Sequence, residues 1–364
     1  RAKKDDMMQT IYNMLCISLG KPPVKFDFEV KTPNGFVRDL GITPQSFFKK
    51  YVDMDLSQYI SLINAPTSDK PYGKTYTVGV CQLVQHEALD AATQGFIDAL
   101  KEELGDAVTV DVQNASGDSV NCGTIVNGFV SKGVDLIMAN ATPALTAAVS
   151  ATADIPILGT SITAYGVALD IDDFNGTVGG NVSGTSDLAD LQAQAQMILD
   201  WFPETKTVGL LFCSAEPNSR YQIDEVRKAL EAQGVTCEEF AFTDSNDVSS
   251  VTQKAADFSD VVYIPTDNTA ASNTEAIANV LIPAGVPAIC GEEGLCRGCG
   301  VATLSISYYD LGVTTGKMAA KILKGEADIS TMPVEYTDAT PKYNASVCEQ
   351  LGITPLDGYE AIDG

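Results

Sequence analysis

Apolar runs alternate with segments of helical periodicity along most of this chain, beginning near residue 75. The run TYTVGVCQLV (75–84) has the length and β-branched content of a buried strand. A helix is predicted at 88–104, where apolar side chains recur on one face. Three further strands are predicted at 108–113, 135–140 and 155–162. Because helical segments separate these strands, the pattern predicts a parallel sheet with right-handed crossovers.

The alternation pauses in a glycine-rich stretch at 165–184 and then starts again with a helix at 187–201. The strands predicted in this second series lie at 206–212, 236–242, 260–265, 287–290 and 301–307. The restart favours two doubly wound, parallel-sheet α/β lobes joined by a hinge. The predicted lobes are residues 75–184 with part of 301–325, and residues 185–300 with part of the tail at 333–355. Two such lobes close on a ligand by hinge motion.

Residues 1–74 lack this alternation. They contain one predicted helix near 4–19, a possible hairpin and a short second helix. Too few apolar residues remain for a separate well-packed domain, because small domains bury a poor fraction of their surface. We expect a small, loosely attached N-terminal appendage.

The charge balance changes at the same place as the pattern. Residues 1–75 carry 11 Lys and Arg against 8 Asp and Glu, whereas the rest of the chain carries 12 against 40. So few cationic side chains on an acidic body disfavour nucleic acid and anionic lipid as partners, since both are bound through Lys and Arg. No apolar run approaches the roughly 20 residues of a membrane span, and no export signal is visible at 1–20.

Cysteine and histidine usage gives little support for catalysis or metal binding. The nine cysteines are scattered and odd in number, which argues against a disulfide framework. For the C-x-x-C pair Cys296 and Cys299 we favour a glycine-rich surface turn over a redox or metal role, because the pair is predicted to lie in a loop. His86 is the single histidine, and no Ser-His-Asp or phosphate-loop pattern accompanies it. We predict no catalytic residue, no metal site and no cofactor.

Small hydroxyl, amide and carboxylate residues follow the ends of these strands, directly before the helices. In doubly wound sheets ligands bind at this edge, and the helix N-termini there favour anions. Each such residue can equally be a helix cap, and Thr142, with Pro143 behind it, is predicted to cap its helix. Acidic residues at the same strand ends suit a ligand ammonium group. The combination favours an amino acid as the ligand.

Residues from about 75 to 355 resemble the substrate-binding proteins of ABC importers, in the tryptophan/tyrosine-binding branch. The matching segments are QLVQHEALDAATQGF, ATPA, NVSGTSDL, AEPNS, IPTDNTAAS, GEEG and SYYDLG. The resemblance implies a type I periplasmic-binding fold and an extracytoplasmic monomer that delivers a small ligand, with an aromatic amino acid favoured, to a membrane permease. The ligand contacts that it implies are His86, Thr142, Ser186, Asp187, Glu216, Asn218, Asp267 and Asn268. We add Thr163, although this chain has Thr163-Ala164-Tyr165 where relatives often show T-D-P, so that the acid of that motif is absent. We also add Tyr308, which either contacts the ligand's side chain or packs at the hinge.

The first 78 residues resemble an internal stretch of the bleomycin hydrolase or aminopeptidase C family of cysteine peptidases. The matching segments are TIYNMLCISLGKPPVKFDFEV, DLGITPQSFFKKYV and YISLINAPTSDKPYGKTYTV. That family's catalytic motifs are missing here and Cys16 lies in an apolar helix, so peptidase activity does not follow. Our hypothesis is a fusion junction at KTYTVGV. Two alternatives to an importer's binding protein stay open: the ligand-sensing domain of a receptor or regulator, and a thiol-dependent or redox enzyme.

Overall fold

A computed structural model describes residues 75–362. The predictions for the appendage, Cys16 included, lie outside the described residues. From Tyr76 onward the chain forms one compact unit built around two sheets. Within residues 75–362, no helix is long and apolar enough to cross a membrane. The predicted fold of two parallel-sheet α/β lobes is confirmed.

The first lobe is built on a six-stranded sheet. Its strands are β1 (Tyr76–Gln82), β2 (Val108–Asn114), β3 (Leu136–Asn140), β4 (Ile157–Ile162), β5 (Val182–Ser186) and β11 (Glu335–Tyr336). They lie in the order β11-β5-β4-β3-β1-β2, and all pairs are parallel. The helices of this lobe are α1 (Glu87–Leu104), α2 (Ser119–Lys132), α3 (Thr142–Ala151), α4 (Tyr165–Ala168) and α11 (Tyr308–Lys324).

The second lobe is built on a seven-stranded sheet. Its strands are β6 (Thr207–Cys213), β7 (Thr236–Phe242), β8 (Val261–Ile264), β9 (Ala288–Cys290), β10 (Ala302–Ser305), β12 (Thr340–Tyr343) and β13 (Glu360–Ala361). Their order is β13-β12-β10-β9-β8-β6-β7, with only the β10–β12 pair antiparallel. The helices are α5 (Leu191–Trp201), α6 (Pro217–Glu231), α7 (Val248–Phe258), α8 (Asn268–Ala271), α9 (Thr274–Ala284), α10 (Glu293–Cys299) and α12 (Ala345–Leu351).

Helices cover both faces of each sheet, so the strands are buried on both sides. In the first lobe, Phe129 of α2 packs in one core cluster and Phe96 of α1 in another. In the second lobe, Ile198 of α5 and Ile277 of α9 lie in separate clusters. Burial on both faces explains why the strands appear in the sequence as continuous apolar runs.

The chain crosses between the sheets three times within residues 75–362. It leaves the first sheet after β5, returns between β10 and α11, and crosses again between β11 and β12. Two details differ from the predicted division of the lobes. Strand β5 runs across the predicted boundary at 184/185, and the tail first pairs with β5 through β11 before β12 joins the second sheet. The apolar pattern did not predict β5, because this strand lies in the glycine-rich stretch. Its Gly184 adopts a φ of 146°, a conformation that favours glycine.

Helices α1 and α11 approach so closely that glycines form the contact. A Cβ atom on Gly312 would collide with the backbone carbonyl of Ala92, and one on Gly95 with the carbonyl of Tyr309. The contact fixes α11, and with it the returning crossing, against the first lobe.

We predict that Gly312→Ala destabilises the protein by about 1–3 kcal/mol, because the added methyl group overpacks a rigid backbone contact. Gly128 is the matched control, since it lies within α2 and a Cβ there meets no atom within 4 Å. Gly128→Ala should stabilise the chain by about 0.5–1 kcal/mol through helix propensity. Urea unfolding of both variants measures the difference, and equal stabilities would contradict this account of the packing.

Candidate functional site

A closed cleft lies between the two lobes, at the carboxyl ends of their strands. Its side chains nearly fill it, since the cavity volume is about 10 Å³, which is room for about one water molecule. The lining residues are His86, Leu89, Ser161, Thr163 and Asp187 from the first lobe, Asn218, Thr266, Asp267, Asn268, Ala271 and Glu292 from the second, and Tyr308 at the returning crossing. A larger ligand therefore requires the lobes to move apart.

His86 connects the two lobes across the cleft. It lies directly after β1, in extended conformation before α1, and its side chain makes no capping hydrogen bond. The Nε2 atom lies 3.2 Å from Oδ1 of Asn268 in the second lobe. Burial lowers the pKa of His86, while the hydrogen bond to Asn268 and the charges of Glu216 and Asp90 oppose the shift. The imidazole is therefore neutral at pH 7 and serves as a polar contact between the lobes.

Ser161 is held in a strained backbone conformation beside the cleft. The pairing of β4 with β5 is irregular between Gly159 and Ile162, and Ser161 has a φ of 55°. Non-glycine residues adopt this left-handed region rarely, and strain of this kind concentrates at functional sites. The Ser161 Oγ atom is buried and has no hydrogen-bond partner. It is thus available to a ligand.

Asp187 follows β5 at the start of the first crossing. Its Oδ2 atom accepts a hydrogen bond of 2.8 Å from the Tyr308 hydroxyl, whereas its Oδ1 atom is buried without a hydrogen bond. Burial raises the pKa of Asp187 above its usual range, and the hydroxyls of Tyr308 and Thr163 oppose this shift. Asp187 thus presents one oxygen to the cleft that no described residue contacts by a hydrogen bond.

Two other buried acids in the cleft already cap helices. Asp267 accepts hydrogen bonds from the backbone N–H of Ala270 at 2.8 Å and of Cys213 at 2.7 Å. Burial, and then the nearby charge of Glu216, raises the pKa of Asp267 to about 8. Glu292 accepts hydrogen bonds from the N–H groups of Gly294 and Leu295, and burial raises its pKa to about 7.

Glu216 lies behind the cleft and does not line it. Its carboxylate accepts hydrogen bonds of 2.8 to 3.0 Å from the backbone and side chain of both Asn268 and Thr269. It also accepts a bond of 3.3 Å from Nδ2 of Asn218, whose Oδ1 atom is buried with no partner. Glu216 therefore orients the two amides that do line the cleft.

Seven of the ten predicted contacts line the cleft, and three do not. Thr142 is the first residue of α3, where Ala141 occupies the cap position that was predicted for Thr142. Ser186 donates its hydroxyl to the Thr163 carbonyl at 3.0 Å, so it supports a lining residue. Glu216 is the third. Ser186 and Glu216 use their side chains for hydrogen bonds to residues distant in sequence, which spacing does not encode.

Two polar lining residues, Ser161 and Thr266, were missing from the prediction, and Glu292 was predicted only as one of several acids at the strand ends. Their position at the ends of β4, β8 and β9 is the signal that could have found them. The surface turn predicted for Cys296 and Cys299 is wrong. Both residues lie in α10 and are buried, and the Cys299 thiol lies 3.3 Å from the Leu295 carbonyl.

Two parallel-sheet lobes, three crossings and an enclosed polar cleft define a bilobal binding protein of the periplasmic-binding type. The model of the ABC transporter substrate-binding protein family matches residues 77–358. The chain belongs to this family, and the predicted resemblance is confirmed.

The relatives of this chain include a tyrosine-binding protein and a domain solved in complex with L-Trp. The tyrosine-binding protein of Clostridioides difficile is 33% identical over 273 residues, which cover 73% of this chain and 78% of that protein. A domain from Streptococcus pneumoniae, solved in complex with L-Trp, is 32% identical with a TM-score of 0.75 and covers 79% of this chain and 100% of that one. A ligand-free, open substrate-binding protein from Clostridium difficile is also 32% identical, with a TM-score of 0.62 over 79% of this chain and 99% of that one.

The N-terminal part matches a second family. The Peptidase C1-like family model matches residues 1–136, and aminopeptidase C of Streptococcus thermophilus is 53% identical over 79 residues. That match covers 21% of this chain and 18% of the peptidase. It confirms the resemblance to a peptidase fragment.

We predict that the single histidine titrates below its usual pKa of about 6.5. The folded chain then holds fewer protons than the unfolded chain, so the stability due to His86 is full above pH of about 6.5 and decreases as the pH falls through the folded pKa. NMR of the imidazole needs no assignment, because His86 is the sequence's only histidine. The urea-unfolded chain is the control, and a folded pKa at or above the unfolded value would rule out burial as the cause.

Proposed function

We propose that the protein is the extracytoplasmic binding component of an ABC importer, and that it binds one amino acid, with an aromatic amino acid favoured, between its lobes. The observation that carries this proposal is the unpaired Oδ1 atom of Asp187 inside the cleft. A buried carboxylate is costly unless a charge or hydrogen bonds compensate it. The ligand's ammonium group supplies both.

Other free polar atoms in the cleft support a ligand with both ammonium and carboxylate groups. The Asn218 Oδ1 atom is a second buried acceptor without a partner, and it lies on the opposite lobe from Asp187. An ammonium group has three N–H donors, so it can bridge the two lobes through these acceptors. The Ser161 hydroxyl is a free donor for the ligand's carboxylate. The apolar lining residues Leu89, Ala271 and Tyr308 would contact its side chain.

The relatives support an aromatic side chain and a closed state. One relative is described as tyrosine-binding, and another was solved with L-Trp. At equal identity, the TM-score is higher with the tryptophan complex than with the ligand-free, open protein. This difference favours a closed arrangement of the lobes here. In the proposed cycle the lobes close around the amino acid and reopen at the permease.

We predict that Asp187→Asn weakens amino-acid binding by about 2–5 kcal/mol, because it removes the charged partner of a buried ammonium group. Isothermal titration of the full chain with L-tyrosine and L-tryptophan measures the loss. Asp190→Asn is the matched control, since Asp190 is exposed and caps α5, a role that asparagine also fills. The control should bind like the parent chain. Parent-like binding by Asp187→Asn would remove the basis of the proposal.

We also predict that binding tightens as the pH rises through about 7. The pKa values of Asp187 and Glu292 are raised by burial, to about 7 for Glu292, and an ammonium ligand stabilises the ionised carboxylates. Binding therefore releases protons, which titrations in buffers of different ionisation enthalpy detect. Uptake of protons on binding would contradict the assignment.

A further inference from the structure

The hydrogen-bond donors that face the cleft are mostly committed within the protein. Tyr308 donates to Asp187, Asn268 donates to Glu216, and Thr266 donates to the Gly291 carbonyl at 3.2 Å. Asn218 donates to Glu216 and to the Thr266 carbonyl, which also fixes the orientation of its amide. Of the lining side chains, the Ser161 hydroxyl is left as a donor with no partner, against two free acceptors on Asp187 and Asn218.

At two helix N-termini of the second lobe, the N–H groups that an anion would use are occupied by the protein's own carboxylates. Glu216 and Asp267 accept the N–H groups at the start of α8, and Glu292 accepts those at the start of α10. In the first lobe, α1 has an N-terminus without a side-chain cap, but Glu87 and Asp90 lie in its first turn and oppose a second negative charge there.

The titratable side chains that line the cleft are three acids and one base. Asp187, Asp267 and Glu292 are the acids, His86 is the base, and the lining contains no Lys or Arg. A ligand carboxylate placed here meets no cationic side chain in a desolvated space. A metal ion does not supply the missing cation, because within residues 75–362 no group of three His, Cys, Asp or Glu is placed to hold one.

We propose that the cleft recognises the ammonium group of its ligand and gains little from the carboxylate, so that it also binds primary aromatic amines that lack the carboxylate. This inference rests on the proposed function and narrows its chemistry. The free acceptors of Asp187 and Asn218 hold the ammonium group in both ligand classes. The carboxylate of an amino acid gains one hydroxyl contact, from Ser161, and finds no cationic partner among the lining side chains.

The test is isothermal titration of the full chain with three matched sets of ligands. The amino acids are L-tyrosine and L-tryptophan, the amines are tyramine and tryptamine, and the acids are 3-(4-hydroxyphenyl)propionate and indole-3-propionate. We expect the better-binding amine to have a Kd within about tenfold of its amino acid, and we expect no binding of the acids. Asp187→Asn should weaken the amine by about a hundredfold, and Asp190→Asn should leave it unchanged.

The outcomes separate this inference from the proposed function. If the amino acids bind and the amines bind more than about tenfold more weakly, the amine inference is overturned while the proposed function stands. Binding of the deaminated acids at the strength of the amino acids would overturn it as well. If none of the six ligands binds, the proposed function itself fails.

Discussion

The Asp187 carboxyl occupies the point where the hinge and the ligand cleft meet. Its bond from Tyr308 joins the crossing after β5 to the crossing after β10, while its other oxygen faces the cleft without a hydrogen bond. Burial raises the pKa of Asp187, because a buried carboxylate without a compensating charge is costly. In the proposed complex, the group that would meet the ligand's ammonium is thus the one that joins the two crossings.

Two polar contacts join the lobes at this site. His86 meets Asn268 across the cleft, and Glu216 holds Asn268 from behind. At the rim, Arg297 lies 3.1 Å from Glu87, a pair exposed enough to contribute about 0–1 kcal/mol. Glycine-mediated packing of α11 on α1, in contrast, lies inside the first lobe and has no polar alternative. Close backbone packing thus holds the first lobe together, whereas these contacts between the lobes are a hydrogen bond and an exposed ion pair.

Periodicity predicted the two lobes because strands buried on both faces leave long apolar runs, as in β1 and β6. It failed at β5, where small residues and Gly184 replace the apolar run, and at Cys296 and Cys299, where glycines masked a buried helix. At the site, the strand ends located the lining residues. Sequence spacing could not distinguish Asp187 from Glu216. One oxygen of Asp187 has no hydrogen bond, whereas both oxygens of Glu216 accept hydrogen bonds from Asn268 and Thr269. That difference arises from packing between segments distant in sequence.

Helix N-termini beside a cleft commonly bind an anion of the ligand. In the second lobe, carboxylates of the protein itself accept these N–H groups at the start of α8 and α10. Glu216, Asp267 and Glu292 fill the positions that a ligand anion would otherwise occupy, so the surface left to the ligand carries the opposite preference. The acidic body around the cleft contributes little to this selection, because exposed charges are screened over about 8–10 Å at physiological salt. Buried carboxylates in a closed cleft escape that screening. In the proposed complex, the choice of ligand charge would therefore rest on the three lining acids and not on the excess of acidic residues over the chain as a whole.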